Sequence, residues 1–335
     1  MLRTAAEHAV LATRVGGVEL RSAVLTASGT SGHGAELAAY GALDELGAVV
    51  VKSLAAHSWP GNAGLRLHGV ANGSMLNRVG LQGPGVAAWR EEALPSLLAH
   101  HATVVASIWG RTPEEFAAAA AGLKGAPGVV AVEVNVSCPN LAGHMFAHAP
   151  ATTREAIAAA SGALSGAGAS GAATSGALSG AGASVGAGAS GGAGLPVWAK
   201  LSPAVADICE IAGAALGAGA SALTLVNTMP GMWIDVGGDR RPFAGGLSGA
   251  GLHPVAVRAV HDCRLAFPDA PIVGVGGVSS GADAAELLMA GANAVQVGTA
   301  TFADPRAPWR VQEDLARWCA RHGTTVEEVI GAAVR

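Results

Sequence analysis

The chain has 335 residues, a net charge of −4, 13% charged residues and 4% aromatic residues. This length is enough for one large α/β barrel or two ordinary domains, and we interpret residues 1–335 as a single domain. The slightly acidic balance, without a run of Lys or Arg, argues against a nucleic-acid partner. The N-terminal apolar run is short and contains Glu7 and His8, so we expect no signal peptide, no membrane partner and a cytoplasmic protein.

Four cysteines are scattered along the chain, and none belongs to a C-x-x-C pair. This spacing argues against a zinc site and a self-contained iron–sulfur cluster, so we predict no metal site. It also offers no disulfide framework, which is typical of a reducing compartment. The four are Cys138, Cys209, Cys263 and Cys319.

Strands and helices alternate regularly after a predicted hairpin at 13–20, which turns at Gly16 and Gly17. Eight strands are predicted at 23–27, 48–51, 103–108, 130–136, 196–201, 222–226, 271–275 and 294–297. This alternation predicts an α/β fold, a (β/α)8 TIM barrel with an N-terminal hairpin and long loops at the C-terminal mouth. An open doubly wound sheet would place G-x-G-x-x-G after the first strand, and SGTSGHG at 28–34 differs from that pattern.

Several local signals add detail to this pattern. Residues 35–46 predict a helix that ends at Gly47. Residues 54–85, and those from Asn227 to Gly249, predict long loops, which are usually functional in a compact domain. Capping boxes are predicted at Thr112 with Glu115, and at Thr324 with Glu327. These signals set the ends of the helices around the barrel.

Residues 161–194 form a low-complexity insertion of Ala, Gly and Ser. The decamer SGALSGAGAS occurs at 161–170 and again at 175–184. Repeated Gly breaks helices, and the segment has little side-chain surface to bury. We predict a flexible surface excursion that replaces or extends the helix starting near Thr153, with no role in the chemistry. The abundant Ala also allows a helix through parts of it, but we expect partial disorder.

The stretch 132–140, VEVNVSCPN, begins as a strand and ends as a loop at Pro139. It places Asn135, Cys138 and Asn140 at the C-terminal mouth of a buried strand, where α/β barrels bind ligands. A buried structural Cys beside two turn-forming Asn residues is the alternative interpretation. The other strand ends favour the functional interpretation.

Small residues follow the last two strands at Gly276-Gly277 and Gly298-Thr299, and Gly249 precedes them in the loop after the sixth strand. Such loops let backbone N–H groups approach a phosphate. Lys52 and Lys200 stand at two further strand ends and need anionic partners. Because few acids are predicted near the mouth, the sequence favours an anionic, phosphorylated ligand.

These strand ends carry motifs that resemble the flavin-dependent dihydroorotate dehydrogenases. The motifs run in order from Val18 to Phe302: ASGT, KS, MLNRVGLQGPG, VNVSCPN, KLSP, VNT, GGLSG, GVGG and VGTATF. The resemblance implies an FMN-binding barrel that oxidises (S)-dihydroorotate to orotate in pyrimidine biosynthesis. It is closest to the soluble class with a cysteine base, in the NAD-linked subgroup. That subgroup pairs with an iron–sulfur flavoprotein, and a homo-oligomer is also expected.

The resemblance also implies roles for individual residues. Cys138 would be the catalytic base that removes the C5 proton of dihydroorotate. The substrate would be held by Lys52, Asn77, Val79, Gly80, Leu81, Asn135, Asn227 and Thr228. FMN would be held by Ser28, Lys52, Ser53, Ser107, Asn135, Lys200, Val226, Gly249, Gly276, Gly277, Gly298 and Thr299. Ser107 departs from the family, in which many members have Asn.

Two other functions remain open from the sequence. The first is a related FMN-dependent dihydropyrimidine oxidoreductase that acts on uracil-type rings, which lack the carboxylate of orotate. The second is an FMN-binding subunit without catalysis, which Cys138 and the two lysines argue against. Assays of turnover with dihydroorotate and with dihydrouracil, each with a dye acceptor, distinguish these two functions from a dihydroorotate dehydrogenase.

Overall fold

The computed structural model describes residues 10–137, 145–165 and 194–334 of the chain. Its strands are β1 (Thr13–Val15), β2 (Val18–Leu20), β3 (Val24–Thr26), β4 (Val49–Val50), β5 (Leu67–Val70), β6 (Ser74–Asn77), β7 (Val104–Ile108), β8 (Val129–Asn135), β9 (Val197–Leu201), β10 (Ala222–Leu225), β11 (Met229–Ile234), β12 (Pro242–Gly249), β13 (Ile272–Val275) and β14 (Ala294–Val297). Its α-helices are α1 (Val86–Ala88), α2 (Leu94–Ala99), α3 (Pro113–Gly122), α4 (Pro150–Ser165), α5 (Ile208–Gly217), α6 (His253–Ala266), α7 (Gly281–Met289), α8 (Ala300–Ala303), α9 (Ala307–His322) and α10 (Val326–Val329). A π-helical turn, Trp89–Ala93, joins α1 to α2, and short 3-10 helices occupy Glu36–Ala39, Leu43–Glu45, Phe146–His148 and Ala250–Leu252.

Eight parallel strands form the barrel, in the order β3-β14-β13-β10-β9-β8-β7-β4. The two edge strands meet through a parallel bridge between Leu25 and Ala48, which closes the ring. These strands are apolar on both faces because helices cover the outside and side chains fill the inside. The predicted (β/α)8 barrel is confirmed, and all eight predicted strands belong to it.

The N-terminal hairpin, β1 with β2, closes the bottom of the barrel. Its side chains Val15, Val18 and Leu20 pack in one buried cluster with Val105 and Trp198 from the inside of the barrel strands. This cluster fills the bottom of the barrel with apolar side chains, and the cavity described below opens at the opposite mouth. The predicted hairpin is confirmed, with Thr13 opposite Leu20 and Val15 opposite Val18.

The predicted helix at 35–46 is wrong, because the structure has two short 3-10 helices there. The break lies at Gly41, where a Cβ would be 2.5 Å from the ring of Trp309. The Trp309 Nε1–H group donates a hydrogen bond of 2.9 Å to the Ala42 carbonyl. A contact between residues more than 260 positions apart therefore interrupts a segment that is helical by its own pattern.

The two long loops predicted at the mouth contain strands that the sequence pattern did not indicate. Strands β5, β6, β11 and β12 form a four-stranded antiparallel sheet in the order β11-β12-β6-β5. Met75 pairs with Ser248 and Asn77 with Gly246, so the loop after β4 is hydrogen-bonded to the loop after β10. This sheet fixes Asn77 and the residues after it beside the barrel mouth.

Both predicted capping boxes differ from the structure in one detail. Thr112 accepts a hydrogen bond from the Glu115 backbone as predicted, but the Glu115 carboxylate accepts from the Arg111 backbone at 2.8 Å. At the C-terminus the box is formed by Thr325 with Glu328, one position later than predicted. Both helices are capped by the expected kinds of side chain, and only the residues that pair differ, by one position.

Within residues 10–137, 145–165 and 194–334, we find no helix with both the length and the apolar character needed to cross a bilayer.

Most of the predicted insertion, residues 166–193, lies outside the described residues, whereas 161–165 complete α4. The two flanks touch, because a Cβ on Gly194 would lie 2.5 Å from the Leu164 carbonyl oxygen. We therefore expect that replacing 166–193 by a short Gly/Ser linker leaves the thermal midpoint and flavin content nearly unchanged, since loop-closure entropy varies slowly with length.

A matched control removes 161–165 as well. This deletion also removes Leu164, whose side chain is buried, so its thermal midpoint should fall clearly below that of the first variant. Thermal unfolding followed by circular dichroism measures both. A linker variant that folds but turns over no substrate would show that the insertion has a function.

Candidate active site

A cavity of about 630 Å³ opens at the C-terminal mouth of the barrel. Its volume lies within the range of ligand and cofactor pockets, which is about 300–1,000 Å³. The predicted ligand residues that line it are Ser28, Lys52, Ser53, Asn77, Val79, Gly80, Leu81, Asn135, Lys200, Val226, Asn227, Thr228, Gly249, Gly276, Gly277, Gly298 and Thr299. Residues separated by more than 250 positions thus meet at one wall because parallel strands end at the same edge.

Ser107 is the one described residue of the predicted set that does not line the cavity. Its side chain is fully buried and its Oγ lies 2.9 Å from the Ser53 Oγ. Ser53 stands in front of it, 3.2 Å from the Ser28 Oγ. Ser107 therefore lies behind Ser53 and not on the cavity wall, and its contact with FMN stays a prediction.

Asn135 and Asn227 connect two neighbouring parts of the mouth. The Asn227 Nδ2 group donates to the Asn135 Oδ1 at 3.1 Å, and the Asn135 Nδ2 group reaches the Ser53 Oγ at 3.4 Å. The Asn227 Oδ1 in turn accepts from the Thr228 backbone at 2.8 Å. These bonds fix which end of each amide is the donor, so the wall presents defined hydrogen-bonding groups to a planar polar ligand.

Asn77 ends strand β6, and its side chain donates to the Gly246 carbonyl of β12 at 3.1 Å. Val79, Gly80 and Leu81 follow it along the cavity wall. Gly80 has a φ of 74°, and a Cβ there would lie 2.5 Å from Asn62. Glycine is therefore needed at this position for the backbone to reach the wall.

Lys52 follows β4 and brings a cation to the same cavity. Burial lowers the pKa of its ammonium group, and the nearby charge of Arg66 lowers that pKa further. Both effects disfavour the charged form of the Lys52 side chain. An anionic ligand group placed beside Lys52 would relieve them, which makes this position suited to a carboxylate.

Lys200 has a protein partner, contrary to the expectation from the sequence. Its Nζ lies 3.3 Å from the Glu133 Oε1 and 3.4 Å from the Gln296 Oε1. The Gln296 amide also donates to the Glu133 Oε2 at 2.8 Å, and all three side chains are buried. The sequence analysis missed Glu133 and Gln296 because both lie inside strands that are otherwise apolar. The charge of Glu133 in such a strand was the one signal that it needs a buried partner.

The glycine-rich loops after β12 and β13 approach the start of helix α6. Gly277 has a φ of 70°, and a Cβ there would lie 2.6 Å from the Cβ of His253. A Cβ on Gly276 would lie 2.8 Å from the Cβ of Ala256. Both glycines are required by close packing, and they leave bare backbone on the cavity wall. The Thr299 hydroxyl donates to the Ser248 hydroxyl at 2.8 Å on the same wall.

Cys138 lies outside the described residues, as do Pro139 and Asn140. The residues that flank this gap, Ser137 and Met145, both line the cavity. The three described cysteines are absent from its lining, and burial raises the pKa of each of their thiols. Among the described thiols there is therefore no candidate base, and the role of Cys138 stays a prediction.

Comparisons with known proteins agree with this geometry. A family model described as dihydroorotate dehydrogenase matches residues 10–318. Among curated relatives, the catalytic subunit of dihydroorotate dehydrogenase B (NAD(+)) from Desulforudis audaxviator is 41% identical over 331 residues, covering 97% of each chain. The protein of the same name from Pelobacter propionicus is 37% identical over 329 residues, covering 96% of this chain and 98% of the relative.

A solved structure supports the fold independently. The crystal structure of DHODH from Eimeria tenella in complex with ferulenol superposes with a TM-score of 0.79 at 20% identity, covering 100% of this chain and 91% of that one. At this identity the likeness concerns the barrel alone. Membership of the family rests on the match of the family model to residues 10–318 and on relatives of similar length. The chain belongs to the dihydroorotate dehydrogenase family.

Proposed function

We propose that this chain oxidises (S)-dihydroorotate to orotate, with FMN as its cofactor, in pyrimidine biosynthesis. The observation that carries the proposal is the single cavity that gathers Lys52, Asn77, Asn135, Asn227 and Thr228 at the barrel mouth. Membership of the dihydroorotate dehydrogenase family supports the same reaction. The uracil-type alternative is less favoured, because Lys52 offers a cation that matches a substrate carboxylate.

The residues of the cavity fit FMN. Bare backbone at Gly276 and Gly277 leaves room for a phosphate, and the hydroxyls of Ser28, Ser53 and Thr299 add further polar groups. The ammonium of Lys200 is held at the wall by Glu133, at a distance of 3.3 Å. When bound, FMN supplies a ring that accepts two electrons. Val226, Gly249 and Gly298 complete the proposed cofactor site.

The residues of the chain bind and orient the substrate. Lys52 would pair with the substrate carboxylate, while the amides of Asn77, Asn135 and Asn227 would hold the ring in one orientation. The hydroxyl of Thr228 and the backbone of Val79, Gly80 and Leu81 would close the site. Cys138 would take the proton from C5, and the ring of bound FMN would supply the acceptor for the hydride that leaves C6. Fixed orientation and general-base catalysis then act on the same carbon–carbon bond.

The experiment that tests the reaction is turnover with a dye acceptor. We expect the purified protein to oxidise dihydroorotate and to leave dihydrouracil unchanged. The Lys52→Met variant should lose much of its affinity for dihydroorotate, since the carboxylate loses its cation. Oxidation of dihydrouracil at a comparable rate would support the uracil-type alternative, and a flavoprotein inert with both would indicate a non-catalytic subunit.

We expect the protein as purified to contain FMN and no FAD. The described mouth offers one glycine-lined wall for one phosphate, at Gly276-Gly277 and Gly298-Thr299. Heat release of the flavin, followed by chromatography against both standards, measures the content. Recovery of FAD in a one-to-one ratio with protein would contradict this assignment of the cavity.

The proposal includes an electron-transfer partner, in agreement with relatives that are named as catalytic subunits. We infer that this partner is an iron–sulfur flavoprotein that delivers the electrons to NAD⁺, and that the chain is a homo-oligomer in the cytoplasm. The absence of a C-x-x-C pair in the sequence supports a partner that supplies the cluster. Co-purification from the native host, with iron and NAD⁺-reduction assays, tests the partner, and light scattering tests the oligomer.

A further inference from the structure

The backbone at Gly80 and Leu81 adopts an unusual conformation beside the cavity. Gly80 has a φ of 74° and Leu81 a φ of 61°, both in the left-handed region. A leucine rarely adopts this conformation, which persists only where its surroundings hold it. Strand β6 ends at Asn77, so the sheet does not provide that support. Something outside the sheet must hold this backbone.

The support comes from residues 59–62. The Trp59 Nε1–H group donates to the Gly80 carbonyl at 3.0 Å. The Asn62 backbone donates to the Val79 carbonyl at 3.0 Å, and Trp59 and Gly83 exchange two backbone hydrogen bonds of 2.9 and 3.0 Å. In a trans peptide the C=O group and the following N–H group point in opposite directions. Anchoring the carbonyls of Val79 and Gly80 therefore turns the next two N–H groups away from residues 59–62.

The Trp59 ring is itself held by residues that directly follow barrel strand β7. Trp109 packs edge-to-face against it, with ring centroids 5.6 Å apart at 75°. The Arg111 guanidinium carbon lies 4.9 Å from the Trp59 ring centroid. Edge-to-face aromatic pairs and a cation over a tryptophan ring are both favourable. We call Trp59, Trp109, Arg111 and Glu115 the Trp59 clamp.

Glu115 fixes the orientation of Arg111 at the first turn of helix α3. The Arg111 Nη2 lies 2.7 Å from the Glu115 Oε1, and the Arg111 Nε lies 3.3 Å from the Oε2. This pairing holds the pKa of the Glu115 carboxyl below its usual range. Glu115 therefore holds the guanidinium over the Trp59 ring, at the cavity wall that Arg111 also lines. The clamp thus connects a barrel strand to the backbone at Gly80.

We propose that Trp59 is a positioning residue, which holds the backbone of Val79–Leu81 so that its N–H groups receive the substrate. The inference rests on the proposed function and deepens it. Trp59 is half-buried and lines the cavity beside the proposed substrate loop, and its one polar group donates to the Gly80 carbonyl of that loop. If Trp59 served only to pack in the core, its aromatic ring would be sufficient and its N–H group would not be required. The indole N–H group is therefore the part to remove.

The test is Trp59→Phe, which keeps an aromatic ring against Trp109 and loses the hydrogen bond to Gly80. Orotate is titrated into the FMN-loaded protein and followed by the flavin absorption spectrum. We expect the orotate Kd to rise roughly five- to tenfold, as for the loss of one hydrogen bond. The KM for dihydroorotate should rise similarly, while kcat and flavin content stay within about twofold of the parent.

Trp318→Phe is the matched control, because Trp318 stacks on His322 in helix α9 at a centroid distance of 4.3 Å and does not line the cavity. Its orotate Kd should equal that of the parent. An unchanged orotate Kd in Trp59→Phe would overturn the proposal, as would a parallel loss of flavin and orotate binding.

Hydrogen exchange provides a readout that does not depend on the substrate. The backbone N–H groups of Asn62 and Gly83 donate to the carbonyls of Val79 and Trp59, and both should exchange faster in Trp59→Phe than in the parent. If the parent protein binds FMN but no orotate, the proposed function fails. The exchange rates then still decide whether Trp59 holds this backbone. Unchanged exchange at both amides would overturn the clamp itself.

Discussion

Cys138→Ala is expected to retain FMN and to bind orotate, and to reduce its flavin about 10² to 10⁴ times more slowly than the parent, which is the usual contribution of a general base. The thiol is not needed to hold either ligand in the proposed site. Rapid mixing of the oxidised protein with saturating dihydroorotate measures this half-reaction without any electron acceptor. The expected loss is the largest of those proposed for this chain.

Cys138→Ser should be intermediate, since a hydroxyl keeps a similar shape but is a poor base near neutral pH. Its residual rate should rise with pH as hydroxide or a deprotonated hydroxyl takes over the proton transfer. Cys209→Ala is the control, because Cys209 does not line the cavity, and its rate should equal that of the parent. If Cys138→Ala loses its flavin absorbance at the parent rate, the proton acceptor is another group.

Glu133→Ala is expected to lower the free energy of unfolding by about 3–5 kcal/mol, as for one partner removed from a buried ion pair. The side chains of Glu133 and Lys200 are 0% and 6% exposed, so the Lys200 ammonium would be left buried without its carboxylate. Gln296 would lose the acceptor of its amide as well. Urea unfolding of the flavin-free protein measures the change without the contribution of bound ligand.

Two variants separate the charge from the packing at this position. Glu133→Gln keeps the size and part of the hydrogen bonding, so it should cost less than Glu133→Ala. The double variant Glu133→Met with Lys200→Met removes both charges and should recover much of the lost stability. Its affinity for flavin should stay below that of the parent, because the double variant lacks the Lys200 ammonium at the cavity wall. A double variant no more stable than Glu133→Ala would show that packing, and not the unpaired charge, dominates.

The local patterns were reliable where neighbouring residues decide the structure. The hairpin at Gly16 and Gly17 and the N-cap at Thr112 depend on chemistry within a few residues, and both are present. The helix at 35–46 failed because Trp309, far along the chain, packs against Gly41. The mouth sheet was missed for a related reason, since β6 and β12 find their partners only across the barrel mouth.

The sequence alone determined the barrel and the polar strand ends at its mouth. Alternating strands and helices require parallel strands, and the ends of parallel strands meet at one edge, so polar residues at those ends had to converge. Hence Lys52, Asn135, Lys200 and Asn227 could be placed at the mouth before any distance was known. Asn77 and the backbone of 79–81 were named only through the resemblance to the family.

Only the tertiary structure decided which of these residues support others and which face the cavity. Ser107 stands behind Ser53, and Lys200 pairs with Glu133. Gln296 joins that pair from 163 positions away, and Trp59 holds Gly80 from the far side of the loop. Contacts of this kind depend on how side chains of remote strands meet inside the barrel and above its mouth. No local pattern records them, because each residue contributes only one half of the interaction.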